Sequence, residues 1–406
     1  MFQGPYFRYL KYGVTSGVPV RAGQFFLQPG GYSAFVPADL PPKPPLAFDS
    51  ELIQLLSDAD RELGRLDGVT TVLPHPDLFV AMYVRHEAVL SSQIEGTQST
   101  LDDVLQFQIG SKGDVTPKDV AEVVNYIDAM NYGLGRINHL PLSQRLIREI
   151  HGELMKGVRG GDKTPGEFRQ TQNWIGPKDS TLSTATFVPP PVIEMLAALK
   201  SFEIFLHDTS LPVLIQCGLA HAQFETIHPF HDGNGRIGRL LIALLLCTRG
   251  VLHRPLLYLS LFLKANQAEY YDRLMAVRKS GAWEEWMKFF LRGVAEVSRS
   301  ATNMAKSIIR LREEHRLLIR EKLANHSANA FPLLDYLFEN PLTTVNLVKD
   351  FLDCSYLAAN NLVGEFVKLG LLRETTGGVR NRKFRFDPYL KLFDSLSNTN
   401  SMASVR

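Results

Sequence analysis

Two His, one Asp, one Asn, three Gly and two Arg fall within the twelve residues HPFHDGNGRIGR (228–239), and an apolar run, LLIALLLC, follows directly. Asp232-Gly233-Asn234-Gly235 reads as a turn, with Gly where positive φ or close backbone approach is needed. From about Arg236 the pattern is a strong helix, so the turn delivers backbone N–H groups to a helix N-terminus, a ready anion site. Arg236 and Arg239 lie three apart on the first turn and offer forked donors that suit phosphate. Two arginines there oppose the helix dipole unless an anion answers them, which points to a polyphosphate ligand. Asp232 adds a hard oxygen ligand of the kind that holds Mg²⁺ without caging it. His228, just before Pro229, can take a proton from a hydroxyl nucleophile as a neutral imidazole. A lone His or a lone GNG would be an ordinary structural turn. Base, metal ligand and anion cradle together describe transfer of a phosphate-containing group.

The elements that must position this loop are helical. PVLIQCGLAHAQFETI precedes it, IGRLLIALLLC follows it, and PKDVAEVVNYIDAMNYGL and SQRLIREIHGELMKG carry apolar residues three and four apart. GEFRQTQNWIGPKDSTLSTATFVPPP interrupts them and reads as loop plus a short hairpin. Residues 1–47, rich in Gly, Pro and aromatics, read as an extended arm, with PPKPPL a spacer. Residues 48–115 are helical and end one helix at Gly96; 116–296 form a helical core; 297–328 read as a charged helical linker. Residues 329–390 give three short helices and two strands joined through Gly-Gly, the order of a winged helix-turn-helix, and 391–406 read as a frayed tail. The fold class is mainly α.

Composition bounds the function. With 406 residues, 45% hydrophobic, and a net charge of +2, the chain can bury a large core and has no whole-molecule field for nucleic acid or anionic membrane. Cys217, Cys247 and Cys354 form no metal spacing and fit a reducing cytoplasm. The run Leu240–Cys247 is too short to span a bilayer. GVRGGDKT (157–164) departs from a P-loop at Asp162 and follows helix rather than strand. A metal hydrolase would need more ligands near His228 than Asp232.

HPFHDGNGRIGR matches H-x-F-x-[D/E]-G-N-G-R-x-x-R and resembles the Fic family of nucleotidyl transferases. The likeness continues over roughly residues 35–295, through GEFRQTQNWIG, TATFVPPP and AEYYDRLMAVR. The resemblance implies a Fic-fold core with a short β-hairpin flap, and ATP and Mg²⁺ as substrate and ion. His228 would be the base that lets a Ser, Thr or Tyr hydroxyl of a target protein attack the α-phosphate, with self-modification as one outcome. Asp232 would hold Mg²⁺. Gly233, Asn234 and Gly235, with Ile237 and Gly238 in the same turn, would form the cradle, and Arg236 and Arg239 the β/γ-phosphate contacts. Phe230 would fix the loop. The flap, Thr184, Ala185, Thr186, Phe187 and Val188, would seat the target by β-augmentation. Tyr270 matches a position on the adenine side. His231, His221 and His151 read as filler or structural residues and Trp174 as a packing anchor.

A second motif, 91-SSQIEG-96, fits [S/T]-x-x-x-E-[G/N], the family's inhibitory helix. Ser91 and Glu95 lie one turn apart before Gly96, and a carboxylate aimed at the phosphate site would pair with Arg239. The same Glu could instead orient water to remove AMP from a modified protein. A homodimer is common in the resembling proteins. The alternative from another class is a DNA-binding regulator, with Asn360 and Asn361 reading adenine edges and Arg380, Arg382, Lys383 and Arg385 on a basic wing. Residues 331–390 hold seven Lys/Arg and seven Asp/Glu, so that module has no net basic footprint.

Overall fold

The computed structural model describes residues 20–71, 76–110, 118–158, 161, 163–323, 327–378 and 381–393. The first part of the arm, Asp162, Arg380 and most of the tail lie outside these residues. Along the chain, β1 (Gly23–Leu27) and β2 (Ser33–Pro37) precede α1 (Ser50–Thr71), α2 (Pro76–Ile94), α3 (Leu101–Gln108), α4 (Lys118–Arg136), α5 (Gln144–Leu154) and α6 (Val192–Leu206). Then come α7 (Val213–Ile227), α8 (Asn234–Thr248), α9 (Ser260–Ala265), α10 (Gln267–Ser280) and α11 (Trp283–Lys322). The last elements are α12 (Ser327–Glu339), β3 (Leu342–Thr344), α13 (Val345–Leu352), α14 (Tyr356–Lys368), β4 (Arg373–Glu374) and β5 (Lys383–Arg385). The structure is 63% helix, and none of the described helices is long and apolar enough to cross a membrane.

The chain forms two compact units. One draws on the chain up to Asp60, Asp128–Val251 and Asn266–Ala295; the other on Arg61–Ile127, Leu252–Ala265 and Glu296 onward. In the first, α7 is buried on every face from Leu214 to Ile227 and packs between α6 and α8. A helix buried all round is a core element, and its polar residues Gln216, His221 and Gln223 are hydrogen-bonded inside. α5 is amphipathic instead: Ser143 caps it, and Leu146, Ile147, Ile150 and Leu154 turn inward against α6 and α8. Gly133 of α4 lets that helix approach closely, since a Cβ there would sit 3.0 Å from Ile150 and 3.2 Å from Leu244.

Residues 20–37 differ from the expected arm. β1 and β2 pair antiparallel with Phe25 opposite Phe35, and β2 packs on α6 and α7. Two five-residue runs around QPGGY bury aromatics that an extended arm would leave wet. The interruption between α5 and α6 forms no full hairpin; it closes through one antiparallel bridge, Ile175 to Phe187. α11 starts at Trp283 rather than near Val297 and runs unbroken for 40 residues, because Trp286, Phe289, Phe290 and Val294 keep its apolar face buried from the start.

In the second unit, α2 packs against α9 and α12. The buried Glu87 carboxylate accepts hydrogen bonds from Ser260 Oγ (2.5 Å) and Tyr126 Oη (3.2 Å). Arg85 donates to the Glu339 carbonyl at 3.0 Å, and Phe393 lies against Tyr83 and His86. β3, β5 and β4 form a three-stranded antiparallel sheet in that order. Its β5 is fastened to α3 by an Arg385–Asp102 ion pair and a Lys383–Gln106 hydrogen bond of 3.1 Å.

Candidate active site

α7 stops at His228, whose backbone is left-handed (φ 48°, ψ 61°) while its N–H still bonds to the Phe224 carbonyl at 2.9 Å. A non-glycine residue in that conformation costs about 1–2 kcal/mol, and it is held there by neighbours. Buried Arg169 donates Nε to the His228 carbonyl (3.0 Å), Nη1 to the Thr171 carbonyl (3.2 Å) and Nη2 to the Pro190 carbonyl (2.5 Å). Its backbone N–H bonds to the Pro229 carbonyl, and Asn173 Nδ2 reaches the Phe230 carbonyl at 2.8 Å. The side chain of Asn234 closes the loop by accepting from Phe230 N–H (2.9 Å) and donating to the Phe230 carbonyl (2.8 Å).

Gly233 caps α8 at φ 77°, and a Cβ there would lie 3.0 Å from Met155 Sδ, so both backbone and space exclude a side chain. Gly238 is a second close approach, with a Cβ position 2.7 Å from Glu225 Oε1. Phe230 is fully buried and stacks on His151 at 3.7 Å. His151 accepts from Gly166 N–H at Nδ1 and donates from Nε2 to the Asp232 carbonyl (3.1 Å), and burial pushes its pKa down to about 4. It is a neutral strut behind the loop.

The first turn of α8 brings two guanidiniums into the interior: Arg236 is 1% and Arg239 4% exposed. Arg236 Nη2 lies 3.5 Å from Asp232 Oδ1, which also accepts from Gly233 N–H at 2.7 Å. The Asp232 side chain keeps 30% of its surface, and its Oδ2 stands 3.7 Å from Lys163 Nζ. Asn234 and Ile237 are buried and Gly235 is half-buried in the same turn. Two buried cations at a helix N-terminus form a strongly anion-seeking surface.

The His228 ring keeps 18% of its surface. Burial, then the Arg278 and Arg169 guanidiniums, push its pKa down to about 3, with the Glu225 carbonyl and Asp232 acting the other way. The imidazole is therefore neutral and able to accept a proton. Its Nδ1 lies 4.0 Å from Glu225 Oε2.

The residues expected to form the flap divide. Thr184 and Thr186 are exposed and Ala185 half-buried, while Phe187 and Val188 are buried. Arg278, also buried, stacks on Phe187 at 3.9 Å and donates to the Glu225 carbonyl (3.0 Å) and Thr226 Oγ1 (3.2 Å). Tyr270, expected on the adenine side, is a core residue in this structure: it is 1% exposed and donates its hydroxyl to His221 Nε2 at 2.8 Å. His221 in turn donates Nδ1 to the Gly238 carbonyl at 3.0 Å, so this pair braces α8 from behind. Tyr271 is the exposed neighbour. His231 is half-buried, with Nε2 3.3 Å from Thr171 Oγ1, and Trp174 is exposed, donating to the Ser180 carbonyl.

Ser91, Glu95 and Gly96 belong to the second unit. Ser91 is buried and Glu95 exposed. Thr97 N–H bonds to Ser92 O and Gly96 N–H to Gln93 O, with Gly96 at φ 98°. This is a Schellman C-cap with Glu95 as the capping residue, and the left-handed position explains a Gly or Asn after the Glu.

Arg169, Asn173 and Arg278 went unassigned in the sequence. Their role is visible only in contacts, although RQTQN is an unbroken run of five side-chain donors.

Residues 53–135 match the model described as Fic/DOC family N-terminal, and residues 141–246 the Fic/DOC family model. A probable protein adenylyltransferase of Aquifex aeolicus is 27% identical over 182 residues, 43% of this chain and 51% of that protein. The protein adenylyltransferase Fic of Drosophila virilis is 30% identical over 164 residues, 39% and 31% respectively. The chain thus spans about half or less of the length of these relatives. A crystal structure of a Fic family protein from Desulfovibrio desulfuricans G20 shares the fold, with a TM-score of 0.55 at 18% identity, covering 84% of this chain and 97% of that one.

Proposed function

This chain belongs to the Fic/DOC family, and on that premise we propose that it is a protein adenylyltransferase, moving AMP from Mg²⁺·ATP to a hydroxyl of a target protein. The observation that carries the reading is a neutral His228 beside a helix N-terminus that buries Arg236 and Arg239. The target hydroxyl oxygen bonds to the α-phosphorus, its proton goes to the His228 ring, and the bond to the bridging oxygen breaks to release pyrophosphate. Arg236, Arg239 and the N–H groups of the Gly233–Gly235 turn hold the departing phosphates.

Asp232 is the residue that would hold Mg²⁺: its carboxylate is partly exposed, and Lys163, at 3.7 Å, stays beyond hydrogen-bond distance of Oδ2. Among the described residues no group of three His, Cys, Asp or Glu is placed to hold a metal ion, so Asp232 would act as a single protein ligand. Bound there, Mg²⁺ would neutralise phosphate charge. Glu95 is the autoinhibitory residue in this reading. Thr184–Val188 act as the flap that seats the target.

We read the β3–α13–α14–β4–β5 module, with α12, as a winged helix-turn-helix, a reading that its element order supports. A protein-facing role suits it better than DNA binding. Arg373 and Arg385 are paired with Asp387, Arg385 also with Asp102, and Arg382 reaches Glu374 and Asn360. Phosphates would have to displace these partners.

Intact-mass spectrometry after incubation with Mg²⁺·ATP tests the proposal on wild type, Glu95→Gly, and Glu95→Gly with His228→Ala. An AMP adduct is expected on Glu95→Gly, reduced on the order of 10²–10⁴-fold without His228. An equal adduct on the double variant would remove His228 from the mechanism.

A further inference from the structure

The returning limb of the flap is fixed carbonyl by carbonyl. Phe187 O accepts from Ile175 N–H (2.8 Å), Val188 O from Phe35 N–H (2.9 Å), Pro189 O from Gln172 Nε2 (2.9 Å) and Pro190 O from Arg169 Nη2 (2.5 Å). Three of these donors lie in the segment between α5 and α6. The fourth, Phe35, comes from β2, outside both family matches, which begin at residue 53. Phe35 is fully buried, packs edge-on to Phe25 at 4.9 Å, and lies 6.0 Å from Phe187. Phe187 is thus held between the Phe35 ring and the Arg278 guanidinium.

We propose that the β1–β2 hairpin is a positioning element of the flap, with Phe35 as its contact residue, and that it marks where the target-pairing edge ends. Successive residues of an extended limb point their backbone groups to opposite sides. Phe187 spends both its N–H and its C=O on Ile175. The opposite edge therefore belongs to Val188 and, next before Phe187, to Thr186, which lies at a bend, while Thr184 is already in a turn. β2 occupies it at Val188, and Thr184 N–H is turned back to Thr181 O. A target strand therefore pairs around Thr186, a footprint of about three residues. The target class that fits is a short extended loop presenting its hydroxyl at once, rather than a long edge strand. This inference rests on the reading that the flap seats the target.

The hairpin is itself rooted away from the flap. Arg21 donates to the carbonyls of Pro44, Pro45 and Gly281 and pairs with Glu284, and Gln223 Nε2 donates to the Ala38 carbonyl at 2.8 Å. The root can therefore be loosened without removing an atom that touches the flap.

Hydrogen exchange read by mass spectrometry on the full chain tests this with Phe35→Ala and Arg21→Ala. Peptides covering 174–188 should exchange roughly tenfold faster in both variants, while α8 peptides keep their protection. If Phe35→Ala also strips α8 of protection, Arg21→Ala decides. Faster exchange of residues 20–37 with wild-type protection at 174–188 would overturn the proposal. In the Glu95→Gly background, Phe35→Ala should slow adduct formation with binding of a fluorescent ATP analogue unchanged. Absence of any adduct on Glu95→Gly alone would count against the adenylyl-transfer reading and leave the exchange result to judge the hairpin.

Discussion

Lowering the pH from 7 to 5 protonates imidazoles, and three of them are built into the walls of the loop. His151 and His221 have pKa values pushed to about 4 and His228 to about 3, in each case chiefly by burial. The unfolded chain binds the same protons near pH 6.5. An imidazole whose pKa falls on folding confers stability that is complete above pH 6.5 and is lost as the pH drops toward the folded value. At pH 5 each residue has lost about 2 kcal/mol, since 1.5 units below the unfolded pKa at 1.36 kcal/mol per unit gives that figure. The three together amount to about 6 kcal/mol, against a typical total of about 5–15 kcal/mol. Urea titrations at pH 7 and pH 5, followed by circular dichroism, should therefore show a large drop in midpoint. A loss below about 2 kcal/mol would refute the reasoning, because at least two of the imidazoles would then be exposed or charged in the folded protein. Activity carries a linked expectation. At pH 5.5 an ordinary imidazole is only about 10% neutral, whereas His228 stays neutral while the fold lasts. AMP transfer should accordingly fall with unfolding, and an acid limb centred near pH 6.5 in folded protein would contradict the assignment.

Asn234→Ala removes both side-chain bonds that close the loop on Phe230, leaving its buried N–H unmatched while its carbonyl keeps the bond from Asn173. A loss of about 1–3 kcal/mol in thermal unfolding and weakened binding of a fluorescent ATP analogue are expected. Gly96→Ala strains a left-handed C-cap that has open space around it, so it should cost about 1 kcal/mol, with Gly96→Asn closer to wild type in the same melt. Arg169→Lys keeps the charge but loses the fork that spans three carbonyls. Its thermal midpoint should drop by several degrees, on the scale of about 2 kcal/mol, and no shift would mean the fork is dispensable.

The loop from His228 to Arg239 was legible because its residue types are improbable together unless they do chemistry, and because Gly233 needs a conformation that few other residues accept. Gly96 was legible for the same backbone reason. The hairpin was not. Its two short strands sit in a stretch whose Gly and Pro content resembles a linker, although the apolar runs on either side of QPGGY carry the pattern of a hairpin. Tyr270 shows a different limit: sequence places it near the site but cannot say which side of α8 it meets, and here it braces that helix through His221. Arg169 and Arg278 follow the same logic, since an arginine written beside Gln and Thr reads as surface until its carbonyl partners are known. The start of α11 was set too late because a change in charge density was taken for a boundary that the buried aromatic stripe does not respect.

The seating of Phe393 against Tyr83 and His86, together with the Arg385–Asp102 pair, has a consequence for how such chains are assembled over evolutionary time. A terminal module joined only by a tether can be exchanged by recombination with little cost. This one shares its apolar surface with α2 and its ion pair with α3, so a foreign module would leave two aromatic rings uncovered and an aspartate unmatched beside the Ser91–Gly96 segment. The two pieces are matched surfaces: a change on the α2 face would call for an answering one some three hundred residues later in the sequence.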